Sequence, residues 1–251
     1  MGMQTGFTLE GKTIVVTGAG SGIGRSIATA CAAQGANVCV AGRRRESLEE
    51  TVAQIDGSAF ACQTDVSRMD DLQRMYDATL ERFGRLDGVV ANAGIIAPSG
   101  PVHEVDPEQW AAFIDTNLSG AFWTVALGAR ILVAQGEGGS ILAIGSSTAI
   151  RAGPGMAPYV ASKGGLHAVM KVAALDLGPH RIRVNTLVPG QTDTPPLRAI
   201  PGFIERAAAM LPLGEIADPD EIGRYAAFVL SDAVPHMTGA LLTVDSGRTV
   251  S

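Results

Sequence analysis

A doubly wound α/β fold, with seven parallel strands and helices on both faces, is predicted by two features of this 251-residue sequence. Short apolar runs rich in β-formers alternate with long helical patterns along the chain, the order that a parallel sheet with crossover helices requires. A glycine cluster stands between the first strand and the first helix, where such sheets turn sharply. No internal repeat is visible, so solenoids and propellers are excluded.

The runs at 13–17, 37–41, 58–62, 88–91, 140–144, 183–188 and 241–244 read as strands. Helical patterns lie between them at 22–34, 44–55, 68–83, 107–135, 156–178 and 219–230. Asp106-Pro107-Glu108-Gln109 and Asp218-Pro219-Asp220-Glu221 each supply an N-cap acid, a proline at the first helical position, and Glu or Gln at N3. Ser67 with Asp70 marks the third helix start in the same way. The proline-rich segment 190–213 breaks the regularity and suits a mobile substrate lid. With no seam elsewhere, 1–251 reads as one domain.

Composition narrows the class further. A chain 46% hydrophobic and 18% charged, without low-complexity tracts, is globular rather than disordered. Its net charge of −6 offers no attraction to phosphate backbones, and the Arg43-Arg44-Arg45 run is too short to form a nucleic-acid surface. Cys31, Cys39 and Cys62 form no Cys-x-x-Cys unit, sit in apolar patterns and read as small buried hydrophobes in a reducing cytoplasm. His103, His167, His180 and His236 lack ligand spacing, so no metal is assigned, and His180 suits a helix end. No signal peptide or uncharged apolar stretch long enough for a membrane span is apparent. Gly2 hints at myristoylation, but Gly6 stands where that motif needs Ser or Thr.

Thr17-Gly18-Ala19-Gly20-Ser21-Gly22-Ile23-Gly24 follows the first strand and opens the first helix. Glycines let the backbone approach a pyrophosphate, while the free N–H groups and positive dipole end of the helix receive its charge. At the end of the second strand, where readers of NAD carry an acid, stands Gly42 followed by Arg43. An arginine can pair with a 2′-phosphate that an acid would repel, so NADP is favoured over NAD. Ser21 weighs the other way, because NADP-using proteins with such a loop often carry Lys or Arg there.

In Tyr159-Val160-Ala161-Ser162-Lys163, helical spacing brings Tyr159 and Lys163 to one face. A free phenol titrates near about 10, and a neighbouring ammonium would favour the phenolate and bring it closer to neutrality. Ser146, thirteen residues before Tyr159 and at the end of the fifth strand, should face the same crevice. Its hydroxyl can donate to a substrate oxygen on which charge develops, and Ser147 is the alternative.

The spacing Thr-Gly-x-x-x-Gly-Ile-Gly, with Ser146, Tyr159 and Lys163 in this order, resembles the short-chain dehydrogenase/reductase family over nearly the whole chain. The resemblance implies a Rossmann-like fold and hydride exchange between a nicotinamide and an alcohol or carbonyl substrate. It implies cofactor contacts at Gly18, Ser21, Gly22, Ile23, Gly24 and Arg43. Asp65-Val66 resembles the pair that holds adenine, and Asn92-Ala93-Gly94 the Asn-Asn-Ala-Gly segment, with Ala91 replacing its first Asn. Pro189-Gly190, Thr192 and Thr194 resemble the segment that touches the carboxamide. Asn117 resembles the asparagine that kinks its helix and helps hold a water beside the lysine, so the implied catalytic set is Asn117, Ser146, Tyr159 and Lys163. Family members are usually tetramers or dimers, with the helices at 107–135 and 156–178 in one interface and the last strand in another. Trp110, Phe113, Phe122 and Trp123 suit such packing, or core packing. Ile95, Ile96, Thr148, Ile150, Met156 and the lid are expected to line a pocket for an apolar or alicyclic substrate. The rival readings are a dinucleotide-binding sensor or scaffold, which would not need a tuned phenol, and lyase or epimerase chemistry on the same fold.

Overall fold

The computed structural model describes residues 6–251, so Gly2 lies outside the described residues. Seven strands, β1 (Thr13–Thr17), β2 (Asn37–Gly42), β3 (Ala59–Gln63), β4 (Gly88–Ala91), β5 (Gly139–Ile144), β6 (Ile182–Pro189) and β7 (Leu241–Val244), form one sheet in the order β3-β2-β1-β4-β5-β6-β7. All pairings are parallel. Side chains alternate between two cores: Ile14 and Val16 pack on one face and Val15 on the other, as Val38 and Val40 oppose Cys39 and Ala41. Both faces are therefore covered, which explains why these strands read as unbroken apolar runs.

Helices α1 (Gly22–Ala33), α2 (Arg45–Ala53) and α9 (Pro219–Leu230) cover the first face. Gly223 lets α9 approach α1, because a Cβ there would lie 2.4 Å from the Ser26 carbonyl oxygen. Helices α3 (Met69–Phe83), α5 (Ala121–Gln135) and α6 (Ala157–Leu177) cover the second. The helix expected at 107–135 runs unbroken, but as α4 (Pro107–Phe113), a π-helical turn at Ile114–Gly120, and α5. This 29-residue run is long and apolar enough for a membrane span by length and composition, though Glu108, Asp115 and Arg130 interrupt it, and half of its most apolar part is buried in the domain.

The expected caps divide. Asp106 accepts from Glu108 N at 2.9 Å and Asp218 from Asp220 N at 2.8 Å. Ser67 does not cap α3: its hydroxyl donates to Asp65 Oδ1, and Asp71 reaches back instead to accept from Asp65 N. The segment 190–213 contains α7 (Pro195–Arg198) and α8 (Phe203–Ala208), with Ala207 and Leu211 buried as anchors. Cys31 and Cys39 are buried and Cys62 is half-buried. Trp110, Phe122 and Trp123 are substantially exposed, whereas Phe113 is buried.

Candidate active site

The strand order reverses between β1 and β4, and the crevice outside their carboxyl ends is where a doubly wound sheet binds ligands. Two adjoining cavities open there and share Gly94 and Ile95. Gly18, with φ +66, allows the loop after β1 to lie against β4: a Cβ would come within 2.8 Å of Ala93 Cα. Gly24 is buried under the same turn, where a Cβ would meet the Gly18 carbonyl oxygen at 2.2 Å. Asn92 fastens this approach by donating to Thr17 O at 2.8 Å and Gly18 O at 3.2 Å. The first turn of α1 holds no acidic residue, and its N-cap Ser21 makes no capping bond. The cradle thus offers unopposed N–H groups and a positive helix end, which fits a dinucleotide pyrophosphate.

Gly18, Ser21, Arg43, Asp65, Val66 and Gly94 line the first cavity. One carboxylate oxygen of Asp65 is committed to its own turn, accepting from Ser67 N and Oγ. Ile23, Asn92, Gly94, Ser146, Tyr159, Lys163, Pro189, Gly190, Thr192 and Thr194 line the second. Gly22 and Gly24 line neither; Gly24 serves packing, and Gly22, with φ +53, abuts the Thr194 methyl. The Thr192 hydroxyl is spent on Gly190 O at 3.2 Å.

Helix α6 presents Tyr159 and Lys163 to this second cavity, and β5 delivers Ser146 to the same place. Tyr159 is held edge-on by Phe113, with ring centroids 6.3 Å apart, and it lines the same cavity as Ser146. Ser147 is buried, accepts from Arg248 Nη1 at 3.2 Å and does not line this cavity. Burial raises the Tyr159 pKa above the ordinary phenol value, opposed in part by Ser146. The expected lowering by the Lys163 ammonium does not prevail, because burial of the phenol outweighs it; the ammonium itself donates to Ile144 O at 2.7 Å. Burial also pushes Lys163 down to about 8. Asn117 is fully buried within the π-helical turn, and its carboxamide accepts from Ile95 N at 2.8 Å and donates to Ile95 O at 2.9 Å. Its side chain braces the cavity wall through Ile95, and its Nδ2 also donates to Ser162 Oγ at 3.3 Å.

The family model described as enoyl-(acyl carrier protein) reductase matches residues 18–249. The chain is 38% identical to "Short chain dehydrogenase/reductase astE" of Aspergillus oryzae, over 98% of each chain. The chain belongs to the short-chain dehydrogenase/reductase family. It is 37% identical to the 2,5-dichloro-2,5-cyclohexadiene-1,4-diol dehydrogenase of Sphingobium indicum, covering 96% of this chain and 98% of that one. The 3-ketoacyl-(acyl-carrier-protein) reductase of Brucella melitensis complexed with NADH superposes with a TM-score of 0.92 at 33% identity, over 96% of this chain and all of the other. This short-chain dehydrogenase/reductase is an oxidoreductase that uses a nicotinamide dinucleotide on alcohol and carbonyl groups.

Several site residues of this dehydrogenase/reductase escaped the sequence reading. Arg44, Ser47, Thr64 and Thr116 line the first cavity beside Arg43, and Ile144 and Leu197 line the second. Ser47 lies one turn into α2, a helix position that carries no motif, so only the packing of α2 on the loop reveals it. Ile95 and Ile96 occupy the second cavity as expected, but Thr148, Ile150 and Met156 do not line it. A 3₁₀ turn at Ser147–Ala149 carries that segment away, and Ile150 is left 47% exposed.

Proposed function

We propose that this enzyme reversibly oxidises an apolar, cyclic secondary alcohol, with Tyr159 exchanging the hydroxyl proton and Ser146 orienting the oxygen. The observation that carries the reading is the convergence of Ser146, Tyr159 and Lys163 on one cavity. The dinucleotide supplies a nicotinamide carbon that accepts or returns hydride. Gly18, Ser21 and Ile23 of the loop would hold it, Asp65 and Val66 its adenine end, and Gly94, Pro189, Gly190, Thr192 and Thr194 its nicotinamide end, with Asn92 and Gly24 keeping the cradle closed. Lys163 would bind the ribose and raise the local positive potential felt by the phenol, and Asn117 would keep Ile95 in the wall. Ser146 donates to the developing oxyanion, and Tyr159 holds the proton on the substrate side.

Arg43, Arg44 and Ser47 around the first cavity support NADP over NAD, since neither arginine forms an ion pair among the described residues and Gly42 removes the competing acid. Ile23, Ile95, Ile96 and Leu197 give the second cavity an apolar wall, which supports a cyclic substrate of the kind named for the Sphingobium indicum relative. The segment 190–213 would serve as the lid over it. The three free cysteines support a reducing cytoplasm, and the exposed Trp110, Phe122, Trp123 and Leu175 support a homodimer or homotetramer built on α4 to α6.

The test is turnover of a panel of cyclic alcohols and ketones, followed by nicotinamide absorbance with NADPH and NADH in parallel. Tyr159→Phe should lower kcat by about 10²-fold or more, with cofactor Kd nearly unchanged. Equal turnover by Tyr159→Phe would overturn the assignment, and cofactor binding without turnover of any substrate would favour the sensor reading.

A further inference from the structure

We propose that His167 is a positioning residue for Ser146: its unprotonated Nε2 accepts the Ser146 peptide N–H and fixes the backbone from which Ser146 presents its hydroxyl to the cavity it shares with Tyr159. The proposal rests on the reading of Ser146 and Tyr159 given above.

Tyr159, Lys163 and His167 follow one another at intervals of four residues along α6 and so share one face. The first two line the cavity, and His167 lies one turn further along, only 7% exposed. Strand β5 pairs with β6 as far as Ile144↔Leu187, and Gly145 N still donates to Leu187 O at 2.7 Å. The chain then leaves the sheet, and the next N–H, that of Ser146, has no backbone acceptor in the ladder. His167 supplies one: Ser146 N donates to Nε2 at 3.3 Å. A buried N–H left without a partner is costly, and here it belongs to the residue that presents the catalytic hydroxyl.

Gly145 gives an independent reason to read the contact as built in. It is not among the glycines with positive φ, so its backbone conformation does not demand glycine. Its lack of a side chain is needed for the imidazole instead, since a Cβ would lie 2.2 Å from Nε2 and 2.9 Å from Cδ2 of His167. Accepting at Nε2 leaves the ring proton on Nδ1. Burial, with Lys163 and Lys171 one turn to either side, pushes the imidazole pKa down to about 4, which keeps the acceptor free near neutrality. Ser146 is thus held from two directions. Its N–H is bound to His167, and its Oγ accepts from Thr148 N at 3.1 Å as the following 3₁₀ turn begins.

The experiment compares His167→Gln, whose side-chain oxygen can accept the same N–H, with His167→Leu, which fills the space without an acceptor. Ser146→Ala serves as a control. His167→Leu should lower kcat by about tenfold or more while cofactor Kd stays within about twofold, and His167→Gln should recover most of the loss. A leucine variant with wild-type kcat, or a glutamine variant as impaired as the leucine one, would overturn the proposal. Nitrogen-15 NMR of the imidazole in the wild-type enzyme decides the same point if a variant fails to fold. The neutral ring protonated on Nδ1 is expected, and a cationic ring or a proton on Nε2 would refute it. Full turnover by Ser146→Ala would instead refute the role given to Ser146, leaving the tautomer to report on His167 separately.

Discussion

Lys163 carries a buried charge whose desolvation costs stability. Its ammonium is buried with a carbonyl as its hydrogen-bond partner, and its pKa falls from the usual 10.5 to about 8. Below pH 8 both folded and unfolded chains hold the proton, so the full cost of about 3 kcal/mol is present. Between about 8 and 10.5 the unfolded chain binds more protons than the folded one, so this group makes stability rise with pH. Urea denaturation of wild type and Lys163→Met should therefore show the wild type gaining about 2–3 kcal/mol relative to the variant from pH 7 to pH 10. The unpaired Ile144 carbonyl left by the substitution adds a pH-independent offset, which cancels in that comparison. A constant difference would mean that the ammonium is not buried. Above pH 10 the raised pKa of Tyr159 acts in the opposite sense, so the measurement stops there. At this scale the identities of Ser146, Tyr159 and Lys163 were legible from type and spacing. The direction of the phenol shift was not, because desolvation depends on Phe113 and on how deeply α6 is packed.

At the level of elements, the turn between β1 and α1 depends on glycines for two distinct reasons. Gly18 adopts a left-handed conformation, whereas Gly24 makes room for the carbonyl that Gly18 presents. Gly24→Ala should thus lower stability by about 1–3 kcal/mol and weaken dinucleotide binding measured by NADPH fluorescence. Gly164→Ala, in the interior of α6 where a Cβ meets nothing within 4 Å, should be neutral or stabilise by up to about 1 kcal/mol. Equal thermal melting of the two variants would show that the helix–loop contact is not tight. The strands and most helix bounds could be read in the sequence because apolar runs and Asp-Pro caps are local signals. The π-helical turn at Asn117 could not, since it reflects the bonds of that side chain to Ile95, 22 residues away in the chain. Ser67 misled for a similar reason: Asp71 competes for the turn and wins the Asp65 amide.

For the molecule as a whole, a sheet whose order reverses between β1 and β4 brings the glycine loop, β5 and α6 to one edge, and the shared groove follows from that topology. The opposite consequence is an apolar helical surface facing outward, with Val172 55% and Leu175 78% exposed on α6. Sedimentation equilibrium should give a multiple of the 25.9 kDa chain mass, and Leu175→Glu should shift the population towards monomer. A wild-type monomer at micromolar concentration would show that this face is simply solvated. The sequence alone determined the fold class and located the glycine loop and the Ser146, Tyr159 and Lys163 positions that share one cavity, because hydrophobic period, glycine spacing and helical repeat are encoded within short stretches of chain. Only the tertiary structure placed Ser146 and not Ser147 in the second cavity, brought Arg44 and Ser47 to the first, left Ile150 outside the second and gave His167 its partner. Each of those outcomes depends on contacts between residues distant in the chain, whose geometry is set by how helices pack on the sheet and is written in no local pattern.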